Sequence, residues 1–269
     1  MSFSFNILNN IIKYEILFNE DIIESEKLYV NDILKLNRLQ DNGETNFKKE
    51  KKHVDLDPYV SLLKLEYFDD EFSDDEVLIA WFDYLKKSIY FNCYTQKIEA
   101  FDDEYIHEQV LMNHLFKYNE SILNKVIKEL GYDIELMNDG INFCIKNKGS
   151  DVNVPLIQES VGNNILINIA LPLYFATKHN CMLLIDEFTC LSNKLEEELI
   201  KYFFNNSKDS QLFITTHSTN LIDNALFRPD QIYAFKFDLE NGTQIKRFSD
   251  ESPRESQNIE KMYLNGIFY

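Results

Sequence analysis

The stretch Cys181-Met182-Leu183-Leu184-Ile185-Asp186-Glu187 decides the fold of this chain, because an unbroken apolar run ends abruptly in two carboxylates. A strand buried on both faces of a parallel sheet has such a continuous apolar run. Ligands of open parallel sheets bind beyond the carboxyl ends of the strands. The stretch therefore predicts a buried strand with Asp186 placed to hold Mg²⁺ and Glu187 placed as a general base. The alternative is a strand that ends in a solvated acidic pair.

A second apolar strand with a polar end follows in Gln211-Leu212-Phe213-Ile214-Thr215-Thr216-His217-Ser218. An amphipathic helix at about 195–204 separates it from the first strand, which makes a βαβ unit. A right-handed crossover places both strand tips on one edge of the sheet. The sequence therefore predicts that Asp186, Glu187 and His217 lie together, with His217 able to donate to a phosphate oxygen. A histidine satisfied within a loop is the simpler alternative.

A third motif, Gln158-Glu159-Ser160-Val161-Gly162-Asn163-Asn164, precedes an apolar helical run. Ser160 is a helix N-cap residue, and Gly162 lets a ligand approach the backbone closely. Free backbone N–H groups at a helix start bind anions. The motif therefore predicts an anion site, with an ordinary capped core helix as the alternative.

The composition excludes several classes of protein. The chain has 269 residues, with 27 basic and 45 acidic side chains and a net charge of −18, which argues against broad binding to nucleic acid or to an anionic membrane. Its seven glycines form neither a G-x-G-x-x-G loop nor a G-x-x-x-x-G-K-[ST] loop. The longest apolar run, 169–176, is too short to span a membrane. Four cysteines without a C-x-x-C pair, and no signal-peptide pattern, predict a reducing cytoplasmic setting.

The pattern of apolar residues predicts three segments: a β-rich segment at 1–72, a helical insert at 73–130 and an α/β core at 131–269. The capping box Ser73-Asp74-Asp75-Glu76 begins the insert. The elements that we expect are strands at 12–18, 22–28 and 30–36, a polar loop at 39–57, helices at 104–118 and 120–130, a hairpin turning at Asp139-Gly140, and strands at 181–186, 211–215 and 231–237.

The order of the three motifs resembles the C-terminal half of ABC-type ATPase heads. Within that class it is similar to AAA-family, overcoming-lysogenisation-defect-like ATPases of bacterial phage-defence and abortive-infection systems. Glu159-Ser160-Val161-Gly162 resembles the signature motif, 183–187 resembles Walker B and 215–218 resembles the switch-histidine segment. The tail 258–266 also resembles a C-terminal motif of these proteins. The resemblance is specific over 151–269 and weak over 1–150.

The resemblance implies an α/β fold: the C-terminal half of an ABC-type P-loop ATPase head, with an N-terminal β-rich segment and a helical insert. It also implies ATP and Mg²⁺ as cofactors, with ATP sandwiched between the Walker motifs of one head and the signature of another. Asp186 would then organise Mg²⁺, while Glu187 would activate water and His217 would sense the γ-phosphate. The residues that would bind ATP from the opposite head are Ser160, Gly162 and Asn163.

The departures from the family pattern concern the phosphate cradle. The P-loop, with its lysine and the following Ser/Thr, is absent from the chain, and Ser192-Asn193 stands where His-Pro is often found. A truncated or split gene, completion by a partner chain and a degenerate ATPase kept for assembly all fit these departures. The function expected is ATP binding and hydrolysis, as a homodimer or with a P-loop-bearing partner. The alternatives are a non-catalytic assembly module that completes such a partner, and a nuclease or phosphatase that uses Asp186, Glu187 and His217 around Mg²⁺.

Overall fold

The chain divides into two compact units, Met1–Leu85 and Lys86–Tyr269. This division does not coincide with the boundaries at 72/73 and 130/131 that the sequence suggests. The structure, a computed structural model, describes residues 1–48, 51–69, 71–100, 120–138, 143–189, 191–254 and 257–268. The helix expected at 104–118 and the turn expected at 139–140 lie outside the described residues.

The first unit contains a six-stranded antiparallel meander in which each strand pairs with the next. Buried Ile12, Leu28 and Leu36 from the sheet pack with Leu78 and Trp81 from a helix. The elements are β1 Ser2–Ile7, β2 Asn10–Asn19, β3 Ile22–Val30, β4 Ile33–Leu39, β5 Asn42–Thr45, β6 Lys52–Asp55, α1 Leu62–Phe68 and α2 Glu76–Lys86.

Two local predictions for the first unit are wrong. The strand expected at 30–36 begins only at Ile33, because Asn31 and Asp32 form a turn with φ of 48° and 64°. Two positive φ values at a two-residue hairpin turn suit Asn and Asp. The loop expected at 39–57 contains β5 and β6, whose antiparallel pairing gives these polar residues backbone hydrogen bonds.

The capping box expected at Ser73 is also displaced. Helix α2 begins at Glu76, and the carboxylate of Asp75 accepts from the backbone N–H groups of Val77 and Leu78 at 3.1 and 3.2 Å. Asp75 is therefore the N-cap residue, because its side chain satisfies two donors that the first helical turn leaves free.

The second unit is built on a sheet of β7 Ile89–Asn92, β8 Lys97–Ala100, β12 Met182–Asp186 and β13 Gln211–Ile214, in the order β13-β12-β7-β8. The first three strands of that order are parallel, and β8 is antiparallel. The α/β class and the parallel βαβ unit are thus confirmed. Strands β7 and β8 lie in the segment 73–130 that the sequence predicts to be helical, because four-residue strands are too short to show a period.

One face of this sheet packs against helices. Leu183 and Ile185 of β12 join one apolar core with residues of α3 Glu120–Glu129, α4 Val161–His179 and α5 Asn193–Asn206. Because side chains alternate along a strand, Met182 and Leu184 point to the other face. Met182 and Leu184 are only partly buried, and Phe213 of β13 is 52 % exposed. Parallel sheets usually have both faces covered, so this apolar face is short of cover within the described residues.

Two smaller sheets complete the second unit. The predicted hairpin is confirmed as β9 Ile134–Asn138 paired with β10 Phe143–Asn147, and β11 Asn153–Pro155 adds a third strand. The strand expected at 231–237 is β14 Tyr233–Asp238, but it pairs with β15 Gly242–Arg247 in a sheet of its own. The tight turn after Asp238, whose carboxylate accepts from the N–H groups of Glu240 and Asn241, favours this local pairing.

The C-terminal helix α6, Ile259–Leu264, packs beside the β14–β15 hairpin in a small core with Ala234, Phe248 and Phe268. Within the described residues, no helix combines the length and the apolar character that crossing a membrane requires.

Candidate functional site

The tips of β12 and β13 meet at one edge of the parallel sheet, as the sequence predicts. Ile185 pairs with Ile214, and the hydroxyl of Thr215 then donates to Oδ1 of Asp186 at 2.5 Å. The same hydroxyl accepts from the backbone N–H of Glu187 at 3.1 Å. Thr215 therefore links the two acidic residues to the neighbouring strand.

The tip of β7 supplies two further partners of Asp186. Tyr90 OH donates to Oδ2 of Asp186 at 2.8 Å, and Asn92 Nδ2 donates to the same oxygen at 3.1 Å. The hydrogen bond from Thr215, and next the one from Tyr90, hold the pKa of the Asp186 carboxyl below its usual range. Asp186 is therefore ionised at neutral pH and held in one orientation by three side chains.

Glu187 has a left-handed backbone, with φ of 54°. Its neighbours are fixed on both sides, because Cys93 N donates to the carbonyl oxygen of Asp186 and Phe188 N donates to that of Thr215, both at 2.9 Å. A left-handed residue other than glycine costs about 1–2 kcal/mol, and such residues cluster at functional sites. The strained backbone of Glu187 lies directly after Asp186, at the tip of β12.

We expect Glu187→Gly to raise the free energy of unfolding by about 0.5–1 kcal/mol, since relief of the left-handed strain exceeds the added backbone entropy of glycine. Glu187→Ala is the matched control, because it removes the carboxylate and keeps the Cβ that causes the strain. Urea denaturation of the two variants measures the difference. A Glu187→Gly variant that is less stable than Glu187→Ala would contradict the strain at this position.

His217 lies close to Glu187 and is open to solvent. Its Nε2 is 3.8 Å from Oε2 of Glu187, and the two side chains are 87 % and 46 % exposed. An exposed pair at this distance contributes little to stability. Both side chains are therefore free to meet a ligand at the edge where Asp186 lies.

The turn at Ser160 has the predicted helix cap, but the carboxylate of Glu159 occupies part of the predicted anion site. Ser160 is the N-cap residue of α4, and its hydroxyl accepts from Asn163 N at 3.2 Å. Glu159 Oε2 accepts from Ser160 N at 3.1 Å and from Asn163 Nδ2 at 2.8 Å. Ser160 N and Asn163 Nδ2, which an anion would use, are thus already hydrogen-bonded. The sequence predicts free N–H groups at this helix start, so that expectation is wrong for these two donors. Across the described residues, no hydrogen bond or ion pair joins Ser160, Gly162 or Asn163 to the strand tips.

The oxygen atoms at the sheet edge could coordinate Mg²⁺ only together with further ligands. The carboxylates of Asp186 and Glu187 and the hydroxyls of Thr215 and Tyr90 are the oxygen ligands that Mg²⁺ prefers. In the described part of the chain, no group of three or more His, Cys, Asp or Glu residues can enclose a metal ion. The remaining ligands of a magnesium ion here would be waters and phosphate oxygens, as in a bound Mg²⁺–nucleotide.

Within the described residues, the same result adds no third ligand for the nuclease or phosphatase alternative. That chemistry needs further carboxylates directed at the metal, and Asp223 is the only nearby candidate that the sequence offers. Asp223 is exposed, and its Oδ1 accepts from the backbone N–H of Ala225 within a turn. Asp186, Glu187 and His217 therefore do not form a metal centre by themselves.

Sequence reasoning missed Tyr90, Asn92 and Glu159 as parts of these sites. The available signal for the first two was a short apolar strand, Ile89-Tyr90-Phe91-Asn92, that ends in a polar residue as the two predicted strands do. For Glu159 the signal was an acidic residue directly before a helix cap, a position that the helix dipole favours.

No protein-family model matches the chain, and no curated protein matches it. Among solved structures, the chain is similar to the SMC head domain from Thermotoga maritima, with 13 % identity over 88 % of this chain and 73 % of that chain and a TM-score of 0.42. It is also similar to the SmcHead bound to the C-winged helix domain of ScpA, with 10 % identity, the same coverages and a TM-score of 0.46. Function is therefore inferred from the strand tips and their side chains.

Proposed function

We propose that this chain binds and hydrolyses ATP with Mg²⁺, as an ABC-type ATPase head that a P-loop-bearing partner chain completes. The observation that carries the proposal is the link from Asp186 through Thr215 to Glu187, because it holds an ionised carboxylate and a strained glutamate together at the tip of a parallel sheet. The resemblance of 183–187 to Walker B and of 215–218 to the switch-histidine segment supports the same reading.

Each side chain has one part in the proposed reaction. Asp186 would hold Mg²⁺, directly or through water, and the ion would neutralise phosphate charge during phosphoryl transfer. Glu187 takes the proton of the attacking water as general base. His217 donates to an oxygen of the terminal phosphate. Tyr90 and Asn92 keep the Asp186 carboxylate oriented, so that little reorganisation is needed when the nucleotide arrives.

The need for a second chain rests on the sheet and on the missing phosphate loop. Strand β13 is an edge strand among the described residues, and edge strands offer unpaired backbone groups to another strand. The apolar face with Met182, Leu184 and Phe213 is short of cover. A strand followed by a helix would pair with the edge and cover this face at once. In a complete head pair, Ser160, Gly162 and Asn163 would bind the nucleotide of the opposite head once Glu159 moves aside.

A second candidate is a non-catalytic assembly module that completes a P-loop-bearing partner without turning over ATP. The Glu159 carboxylate favours it, because it already occupies donors of the Ser160 turn. A place in phage defence belongs to the proposal as well and is supported by the sequence resemblance alone.

The test is a titration of fluorescently labelled ATP into the purified chain, alone and mixed with a neighbouring gene product that contains a G-x-x-x-x-G-K-[ST] loop. We expect Mg²⁺-dependent binding and turnover only in the mixture. A mixture that forms a stable complex but does not turn over ATP would contradict the ATPase and favour the assembly module. Tight Mg²⁺–ATP binding by the chain alone would contradict the need for a partner.

A further inference from the structure

The loop that carries His217 is tied down on both sides of that residue. Thr216 Oγ1 donates to the carbonyl oxygen of Phe188 at 2.6 Å and accepts from Ser218 N at 2.9 Å. Thr215 is bonded to Asp186 as described above. The chain entering His217 is therefore fixed to the β12 tip, while the imidazole itself is exposed.

The chain leaving His217 is held by a buried carboxyl of α5. Glu196 is only 1 % exposed, and its two oxygens accept from Ser218 Oγ at 3.0 Å and from Asn220 Nδ2 at 3.2 Å. A buried carboxyl is costly unless both of its oxygens find donors. Glu196 therefore keeps these two partners, and with them the course of the loop.

The residue between those two partners is held by the C-terminal helix. Thr219 Oγ1 donates to Glu260 Oε1 at 3.0 Å. Glu260 has a fixed position, because Asn258 caps α6 by accepting from Lys261 N at 2.7 Å and Ile259 is buried beside Phe248. The segment 218–220 is thus hydrogen-bonded to two helices, through one carboxyl group on each.

We infer that Glu196 and Glu260 are positioning residues that clamp the segment 218–220 to α5 and α6 and thereby fix the backbone on which His217 is presented. The imidazole of His217 has no close ion pair to orient it within the described residues, since Glu187 Oε2 lies beyond hydrogen-bond distance, 3.8 Å from Nε2. Orientation of a donor before the ligand arrives lowers the barrier of a transfer reaction. The role of His217 toward a phosphate rests on the proposed function, whereas the clamp rests on the hydrogen bonds alone.

One consequence is a connection between the C-terminal helix and the candidate site. The tail 258–266 has no other part in the proposed chemistry. Its Glu260 nevertheless accepts a hydrogen bond from Thr219, which lies two residues after His217 in the sequence. A displacement of α6 would break this hydrogen bond and loosen the loop at His217. The tail therefore connects the position of α6 in the second unit to the conformation of the loop at His217.

The experiment compares Thr219→Val, which removes the hydroxyl at nearly constant volume, with Thr219→Ser, which keeps it. Hydrogen exchange of the Ile222 amide, which donates to the carbonyl oxygen of Thr219 at 2.9 Å, reports on the segment. The imidazole Cε1–Hε1 resonance of His217, assigned with His217→Gln, reports on the presented side chain. We expect Thr219→Val to speed exchange at Ile222 at least about 10-fold and to move the His217 resonance toward its unfolded position. Thr219→Ser should match the wild type.

A second pair of variants keeps the test decisive if Thr219→Val folds poorly. Glu260→Ala removes the acceptor, and Glu260→Gln keeps an acceptor oxygen at the same place. We expect the first to reproduce the Thr219→Val signature and the second to restore the wild-type one. Wild-type exchange and resonance in both Thr219→Val and Glu260→Ala would overturn the clamp.

Kinetics of the chain with its P-loop partner separate this inference from the proposed function. If the wild-type mixture hydrolyses ATP, Glu260→Ala should lower kcat at least about 10-fold with little change in KM, and Glu260→Gln should restore it. An unchanged kcat alongside a loosened loop would overturn the positioning role. If the wild-type mixture is inactive, the proposed function fails, and the exchange and resonance data still decide the clamp.

Discussion

Glu187→Gln is expected to lower ATP hydrolysis by the complete assembly at least about 100-fold, because a positioned general base contributes about 10²–10⁴-fold to such a reaction. The amide keeps the size of the side chain and the left-handed backbone, but it cannot take a proton from water. Bound ATP should therefore remain on the assembly. Phosphate release measures turnover, and retention of labelled ATP on a filter measures binding.

The matched control is Glu240→Gln, the same change at an exposed residue of the turn between β14 and β15. It should leave turnover and binding at wild-type values. Undiminished turnover by Glu187→Gln would show that another group activates the water. Loss of ATP binding together with turnover would show instead that Glu187 acts by holding the nucleotide.

The strand tips could be predicted because the relevant signals are local and independent of distant contacts. Apolar runs that end in Asp186-Glu187 and in Thr215-Thr216-His217 each predict a strand, and the helix between them fixes their relative direction. The observed link from Thr215 to Asp186 follows from that geometry. Parallel register then brings the two ends to one edge, whatever the rest of the chain does.

The third tip gives only a weak signal in the sequence, because β7 has only four residues and lies next to a helix. Its partner in the sheet, β12, is more than 90 residues away along the sequence, so no local pattern indicates the contact. The roles of Tyr90 and Asn92 depend entirely on this pairing. A long-range pairing that orients a key carboxylate is thus the part of the site that sequence periodicity cannot supply.

The Ser160 turn shows a different limit of sequence reasoning. The cap at Ser160 follows from residue type and position, and it is present. Whether the donors beyond the cap are free depends on the rotamer of Glu159, which places its carboxylate on Ser160 N and Asn163 Nδ2. A residue type that is common at helix starts therefore converts a predicted anion site into one that is already occupied by the chain.

The partner of the strand predicted at 231–237 could not be read from the sequence, and the structure pairs β14 with β15. An apolar strand after a βαβ unit is consistent with a further parallel strand, but local hairpin closure after Asp238 competes with it. Short-range pairing has the smaller loop-closure cost. The parallel sheet therefore ends at β13 within the described residues, and this open edge is what supports a partner strand.

Asp186→Asn is expected to weaken Mg²⁺–ATP binding by the complete assembly at least about 10-fold, or about 1.4 kcal/mol. The amide oxygen can still accept from Tyr90 and Asn92, so the tip of β7 keeps its place. The lost feature is the negative charge that orders the water ligands of Mg²⁺. Titration of labelled ATP at several Mg²⁺ concentrations measures the change. Asp151→Asn, at an exposed position of the same unit, is the control and should bind as the wild type does.

The pH dependence of stability provides a second measurement on the same variant. The pKa of Asp186 is lowered in the folded chain from a value of about 3.9 in an unfolded one, so its stabilising effect is complete above about pH 5. That effect is lost as the pH falls through the folded pKa. The stability difference between wild type and Asp186→Asn should therefore shrink as the pH falls below about 5. A constant difference over this range would mean that Thr215 and Tyr90 bind the neutral acid as well as they bind the carboxylate.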